Sequence, residues 1–378
     1  MFNDVFREIT GVLDRRFLLN AFFPSLIFWG LLVVVAFAGA GWDLVKLAQI
    51  WNKQDVTFKT LQIVGCLSWV TFFAGILTSQ LTAIVRFYEG YWNFPLGRRL
   101  AVIGKNWHQE RLKELDCDTR LKAITDQLQN VQTQLVVIDN ALSNNSPQPS
   151  NSSQNLAQLQ KEKSQLLKQQ TRLKKQQTWL KEQQTQLEEN QASFYNSIYL
   201  YYPLPTQPNN VMPTTLGNIL KNAELYSFDH YDLDAVLIWP RLYNLLPNSF
   251  LQTFAEVKSS LDFMLVISAL SVIFALLSGV YLLVIKASGW LFLLCFWGGW
   301  LVGWLAYRGA LGSAVVYGEL IKSSFDLYRN ELLKQMRLPL PKTPKEEIKR
   351  WQEIREFLYS NNTEVAWQYT EPDITGQD

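Results

Sequence analysis

Four stretches of the chain carry no charged residue, Phe17 to Trp42, Thr60 to Val85, Phe263 to Ile285 and Ala287 to Tyr307, and they alternate with segments dense in charge. About 20 apolar residues at 1.5 Å each cross a hydrocarbon layer, and these runs of 26, 26, 23 and 21 residues all reach that length. They predict four transmembrane helices, at 17–42, 60–85, 263–285 and 287–307. The mean hydropathy of −0.03 conceals them, because a polar middle segment cancels the apolar runs. In the loop 43–59, Leu44, Leu47, Ala48 and Trp51 recur at helical spacing, as in a helix lying flat on a membrane surface.

Between the second and third runs the pattern changes period. Cys117, Leu121, Ile124, Leu128, Val131, Leu135, Ile138 and Leu142 are spaced alternately by four and three, a heptad seam. A polar string, Ser143 to Gln154, interrupts it. Leu159, Leu166, Leu173, Leu180, Leu187 and Phe194 then repeat every seven, but the companion seam positions are Lys163, Gln170, Gln177, Gln184 and Gln191. Residues 110–198 therefore predict an antiparallel coiled-coil hairpin of roughly 50 Å, about 33 residues at 1.5 Å each. Its return arm has one apolar row where the outgoing arm has two, so either a partner completes the seam or the arm is a partly hydrated spacer.

The rest of the soluble sequence reads as short helices. Residues 1–16 predict an amphipathic helix, and 86–109 a basic juxtamembrane segment. Residues 199–262 predict a proline-rich linker, Tyr201 to Pro208, and a helical module. In that module Thr214 caps a helix bearing Leu216, Ile219, Leu220 and Ala223; Asp232 or Asp234 starts another that ends at Pro240; and Ser249 caps a third that runs unbroken into span three. After span four a helix continues over 308–338. Thr343, Pro344 and Glu346 then open a short helix, 343–359, in capping-box fashion, and the polar tail 360–378 predicts disorder.

Charge orients the spans. Arg7, Arg15 and Arg16 precede the first; Arg86, Arg98, Arg99, Lys105 and Arg111 follow the second; Arg308, Lys322, Arg329, Lys334 and Arg337 follow the fourth. Basic flanks stay inside, which predicts two cytoplasmic termini, with Arg86, Arg98, Arg99 and Arg308 at the lipid headgroups. The first run is too long for a cleavable signal and predicts a retained span.

Within the spans small and hydroxyl residues are striped. Gly65, Ser68, Thr71, Gly75, Thr78 and Thr82 share one face of span two, continued by Arg86 and Glu89. Ser268, Ser271, Ala275 and Ser278 do so in span three. Span four carries Gly299 and Gly303 opposite Trp297, Trp300 and Trp304. Such stripes predict close helix packing; in an oligomer, the span-two stripe could instead line a pore whose cytoplasmic charge is set by Arg86 and Glu89.

A chain of 378 residues with 35 basic and 33 acidic side chains, net +2, offers no basic domain for nucleic acid. Three cysteines make no disulfide framework, and Cys66 and Cys295 read as packing residues within spans. No phosphate-cradling glycine loop, nucleophile elbow, Cys-x-x-Cys pair or HExxH occurs, and no cofactor is implied. The one weak metal candidate is Glu224, Asp229, His230, Asp232 and Asp234, whose oxygens and imidazole suit a divalent cation; the plainer reading is a loop whose aspartates cap the next helix.

Four strings, Arg86 to Trp92, Pro213 to Asn218, Leu233 to Leu242 and Tyr317 to Arg329, resemble those of a group of uncharacterised bacterial four-span inner-membrane proteins. The resemblance leaves out the Gln-rich arm. It implies a bacterial inner-membrane location and brings no activity. The fold class expected is an all-α integral membrane protein with four transmembrane helices, a cytoplasmic coiled-coil hairpin and a small helical juxtamembrane module. Three functions stay open: a non-enzymatic homo-oligomer, surrounded by membrane lipids, whose arm docks or senses a cytoplasmic protein; an oligomeric ion channel or pore-forming effector gated through the rods; or an enzyme or transporter with an unrecognised site.

Overall fold

The computed structural model describes residues 15–41, 44–144, 153–205, 207–360 and 369–370. Expectations for residues 1–14, for the polar string at 145–152 and for most of the acidic tail lie outside them, as does the side chain of Leu159. The described residues are 87% helical, with no strand among them. In chain order the helices are α1 Leu18–Gly39, α2 Leu44–Lys53, α3 Val56–Ser79, α4 Leu81–Glu89, α5 Pro95–Leu115, α6 Cys117–Asn144, α7 Ser153–Tyr201, α8 Thr215–Tyr231, α9 Ala235–Tyr243, α10 Asn248–Val284, α11 Gly289–Gln335 and α12 Pro344–Ser360. Four of them, α1, α3, α10 and α11, are long and apolar enough to cross a membrane.

The helices form two compact units, residues 1–108 with 209–378, and residues 109–208. In the first, α1 opens with a π-helical turn, Leu18–Phe22. Pro24 has no N–H to give Asn20, and its ring crowds the carbonyl four residues back, so the ladder widens here. Asn20 instead exchanges side-chain hydrogen bonds with Ser259 of α10. Ala21 and Phe28 pack with Ala74 and Leu77 of α3 and with Val266 and Leu270 of α10.

The second apolar run is not one helix. It breaks at Gln80, between α3 and α4, where the Thr78 and Ser79 hydroxyls donate back to the carbonyls of Ala74 and Ile76; such back-bonding bends helices. Helix α4 ends at Gly90, in left-handed conformation at φ 95°, with Tyr91 N–H donating to the Arg86 carbonyl. This closure needs a residue without Cβ.

Helices α10 and α11 form the tightest pair. Ser268 Oγ donates 2.8 Å to the Gly303 carbonyl. A Cβ on Gly299 would stand 2.8 Å from that of Ala275, and one on Gly303 3.0 Å from Val272 Cγ2. The expected apposition of small residues in spans three and four is present, and Trp297, Trp300 and Trp304 are exposed. As expected α10 is a single rod, but Pro247 rather than Ser249 occupies its N-cap, and no side chain caps it.

Below this pair Phe325, Leu332 and Leu333 of α11, Ile238 and Leu242 of α9, and Trp351 and Ile354 of α12 form a buried core. Thr214 and Asp234 cap α8 and α9 as expected; Asp232 instead ends α8 at φ 54°. Pro240 does not terminate α9, which continues to Tyr243. Thr343 Oγ accepts from Glu346 N–H, while the Glu346 carboxylate accepts from Lys342 rather than from Thr343, so the capping box is displaced by one residue.

In the second unit α6 and α7 lie side by side. Tyr195 Oη donates to Asp118 (2.6 Å), and Gln170 to Asp139 (2.5 Å), so the helices run antiparallel. Val131, Leu135 and Ile138 of α6 are buried with Leu173 and Leu180 of α7, and Cys117 Sγ reaches the Leu187 carbonyl. Gln170, Gln177, Gln184 and Gln191 are half-buried, whereas Lys163 is exposed.

Candidate functional site

Two pairs of the four resembling strings meet in space. Thr214 Oγ donates to the Tyr88 carbonyl (2.8 Å) while accepting from Gly217 N–H at the start of α8. Asn218, fully buried, accepts from Met212 N–H and donates to the Met212 and Thr214 carbonyls. Pro213 lies against α4 at Gly90 and against α5 at Gly104, where any Cβ would collide with it. Tyr88 Oη donates to Ser268 and its ring stacks on Tyr307. The second meeting place joins α8, α9 and α11: Ser227 Oγ donates to the Leu233 carbonyl, Tyr231 Oη to Asp326 (2.7 Å), and Trp239 packs on Phe325. The Tyr231 phenol is pushed up to about 12, chiefly by burial and then by its bond to Asp326.

Between these two nodes lies a cleft of about 460 Å³ with Trp239, Tyr317, Ile321 and Phe325 on its apolar wall and Glu89, Glu224, Lys258 and Asp262 as its charged groups. Lys258 donates 2.7 Å to Asp262, and Lys221 pairs with Glu224 at 2.9 Å. The second Asp262 oxygen is buried without a hydrogen-bond partner. Glu89 is held above the usual carboxylate range by burial first and by the nearby Glu224 second. Asp262 escapes sequence inspection because it sits one residue outside a charge-free run and looks like a headgroup residue.

Glu89 was expected to continue the span-two stripe; it instead lines the cleft, because the break at Gln80 separates it from the stripe, while Arg86 is exposed. The stripe itself is not packed within the chain: Gly65, Ser68, Thr71, Gly75, Thr78 and Thr82 all face outward, and no atom would meet a Cβ on Gly65 or Gly75. The buried face of α3 is Val70, Ala74 and Leu77. Cys66 is exposed rather than packed, whereas Cys117 and Cys295 are buried. In span three Ser268, Ala275 and Ser278 are buried and Ser271 half-buried.

Arg98, Arg99 and Arg308 are exposed, and Arg308 lies over the Trp304 ring. Two of the basic residues that follow span four serve the fold. Lys322 is buried and pairs with Glu319 at 3.0 Å, and Arg329 pairs with Glu347 at 2.6 Å above the Tyr231 ring.

The weak metal candidate does not assemble. No group of three His, Cys, Asp or Glu able to hold a metal occurs among the described residues. Asp232 binds Arg355 (2.6 Å) and Gln352, and Asp234 caps α9 and accepts from Tyr359. His230 is exposed and stacked on Tyr226, and Glu224 is turned to Lys221. Asp234 caps the next helix, as the plainer reading expected, whereas Asp232 does not and pairs with α12 instead.

No protein-family model, curated protein or solved structure matches this chain.

Proposed function

We propose that the chain is a non-enzymatic, oligomeric protein of a bacterial inner membrane, crossing it four times with both termini in the cytoplasm. In this reading residues 110–198 form a coiled-coil hairpin that docks or senses a cytoplasmic protein. The broad apolar faces left uncovered on α3, α10 and α11, among them Leu276, Leu294, Trp297 and Leu301, support residence in lipid, since soluble chains rarely expose patches of that extent. The observation that carries the docking reading is on the second unit. Val136 and Val137 of α6 and Trp179 of α7 stay exposed on helices whose surface is rich in Gln, Lys and Thr, and tryptophan is among the residue types enriched at binding hot spots.

A photo-crosslinking residue at Val137 tests this in cells. A discrete adduct with one other protein, lost on Trp179→Ala and absent when the probe sits at Lys122, is the expected result. Adducts with the chain itself only, or none, would remove the docking reading.

The outward-facing hydroxyl stripe of α3 favours a second reading, an oligomeric channel in which that stripe lines the path. Thr71→Leu and Thr78→Leu then leave assembly intact and block ion flux from liposomes. Liposomes of the wild-type assembly that pass no ions, with the arm's partner present, contradict it.

A further inference from the structure

Helix α5 leaves the end of α4 after five residues, and its first four turns have two dissimilar sides. One side is held by the fold: Gly97 lies against Trp92 and Phe94, Gly104 against the Pro213 carbonyl, and His108 is buried. The other side carries Leu96, Leu100, Ile103 and Trp107 at steps of four, three and four, so at 100° per residue they fall within an arc of about 60°. All four are uncovered, with relative exposures of 64%, 47%, 65% and 61%. A stripe of this kind belongs against an apolar medium.

The charges of this helix have one sign: at 100° per residue Arg99 borders the stripe, about 70° from its centre, while Arg98 and Lys105 fall on the opposite face. From Gly90 to Gln109 the sequence contains Arg98, Arg99 and Lys105 and no acidic residue, and both arginines are exposed. Phe87 and Tyr91, just before the helix, are exposed as well, extending the aromatic and aliphatic surface back toward α3, one of the helices long enough to span a membrane. An apolar stripe on a helix whose polar face is basic, with interfacial aromatics beside it, is the chemistry of a helix lying in the headgroup layer.

We infer that residues 95–108 form an interfacial helix that lies on the membrane and recognises anionic lipid, with Leu96, Leu100, Ile103 and Trp107 immersed, Arg99 at the phosphates, and Arg98 and Lys105 on the polar face adding to the attraction. The inference rests on the four-span reading above. It gives the Pro213 node a mechanical meaning: Gly104 ties the start of α8 directly to a helix whose immersion depends on the lipid beneath it.

Site-directed spin labelling of the full-length protein tests it. The native cysteines are replaced and a nitroxide is placed at Ile103, at Leu294 on the exposed side of α11, or at Gln129 in α6. The protein is reconstituted into phosphatidylcholine vesicles with or without a third of the lipid replaced by phosphatidylglycerol. Expected is an Ile103 label accessible to oxygen and shielded from a water-soluble nickel reagent in the anionic vesicles, less so in the neutral ones. Arg99→Gln should lower the immersion equilibrium about fivefold, the equivalent of one basic residue at an anionic surface, and Arg98→Gln, on the opposite face, by less. A Leu294 label in lipid with an Ile103 label as wet as that at Gln129 overturns this inference alone, whereas a wet Leu294 label overturns the spanning reading. Spin coupling between copies at Ile103 without immersion shows that a second copy covers the stripe, and equal immersion in both vesicle types overturns the anionic preference.

Discussion

Two adjacent glycines of α11 face different surroundings, and this sets up a controlled test of the α10–α11 seam. A Cβ at Gly299 would meet Ala275 Cβ at 2.8 Å and the Ser271 carbonyl oxygen at 3.0 Å, while one at Gly298 would meet nothing within 4 Å. Replacing a helical glycine by alanine gains about 0.5–1 kcal/mol of helix propensity at either position. Only at Gly299 must the helices separate, and overpacking of a close interface costs about 1–3 kcal/mol. The propensity gain is common to both variants, so the difference between Gly298→Ala and Gly299→Ala isolates the clash at about 1–3 kcal/mol. Gly303→Ala, whose nearest neighbour is a movable methyl at 3.0 Å, should fall between them. Unfolding in mixed micelles of increasing denaturing-detergent fraction, followed by tryptophan fluorescence, measures all three. Equal stability of Gly298→Ala and Gly299→Ala would refute the seam.

Burial lowers the His108 pKa to about 4, so the folded chain keeps this imidazole neutral where an unfolded one protonates. Stability contributed by this site is complete above pH 6.5 and declines as pH falls toward 4, about 1–2 kcal/mol by pH 5; unfolding of His108→Phe should lack that slope. Glu89 has the opposite sign. Its raised pKa means that the folded state holds the proton more tightly, so its unfavourable contribution grows as pH rises past the ordinary carboxylate value. Glu89→Gln should therefore raise the unfolding temperature at pH 7, by an amount that shrinks toward pH 4. In the second unit, Leu135→Asp puts a carboxylate among Val131, Ile138, Leu173 and Leu180, at a cost of about 3–5 kcal/mol. Limited proteolysis should then cut α6 and α7 while sparing α10 and α11.

The parts of this molecule that the sequence discloses are those set by a single repeating pattern. The apolar heptad positions from Cys117 to Leu142 and from Leu166 to Leu187 are buried or half-buried, and Gly299 with Gly303 meets the Ser268 to Ala275 face, because burial along a helix follows its period. Where two patterns compete, inspection chooses wrongly. Span two offers both a small-residue stripe and an apolar face, and the chain buries Val70, Ala74 and Leu77 while turning the stripe outward. The break at Gln80 depends on hydroxyls finding carbonyls, and the cleft gathers Glu89, Glu224, Lys258 and Asp262 from separate helices; neither has a local signature. The α5 stripe shows in its spacing of four, three and four, but that it stays uncovered depends on Gly97 and Gly104 being the packed positions, which has no local signature.

Four crossings fix which side of the membrane each connection lies on. Single cysteines at Asn52, Gln129, Lys286 and Gln335, in a chain whose three native cysteines are replaced, can be probed in intact spheroplasts with a membrane-impermeant maleimide. Labelling at Asn52 and Lys286, with Gln129 and Gln335 reactive only after lysis, is the result predicted by four crossings with the α6–α7 unit in the cytoplasm. Labelling of Gln129 from outside, or equal labelling of all four sites before lysis, would contradict it.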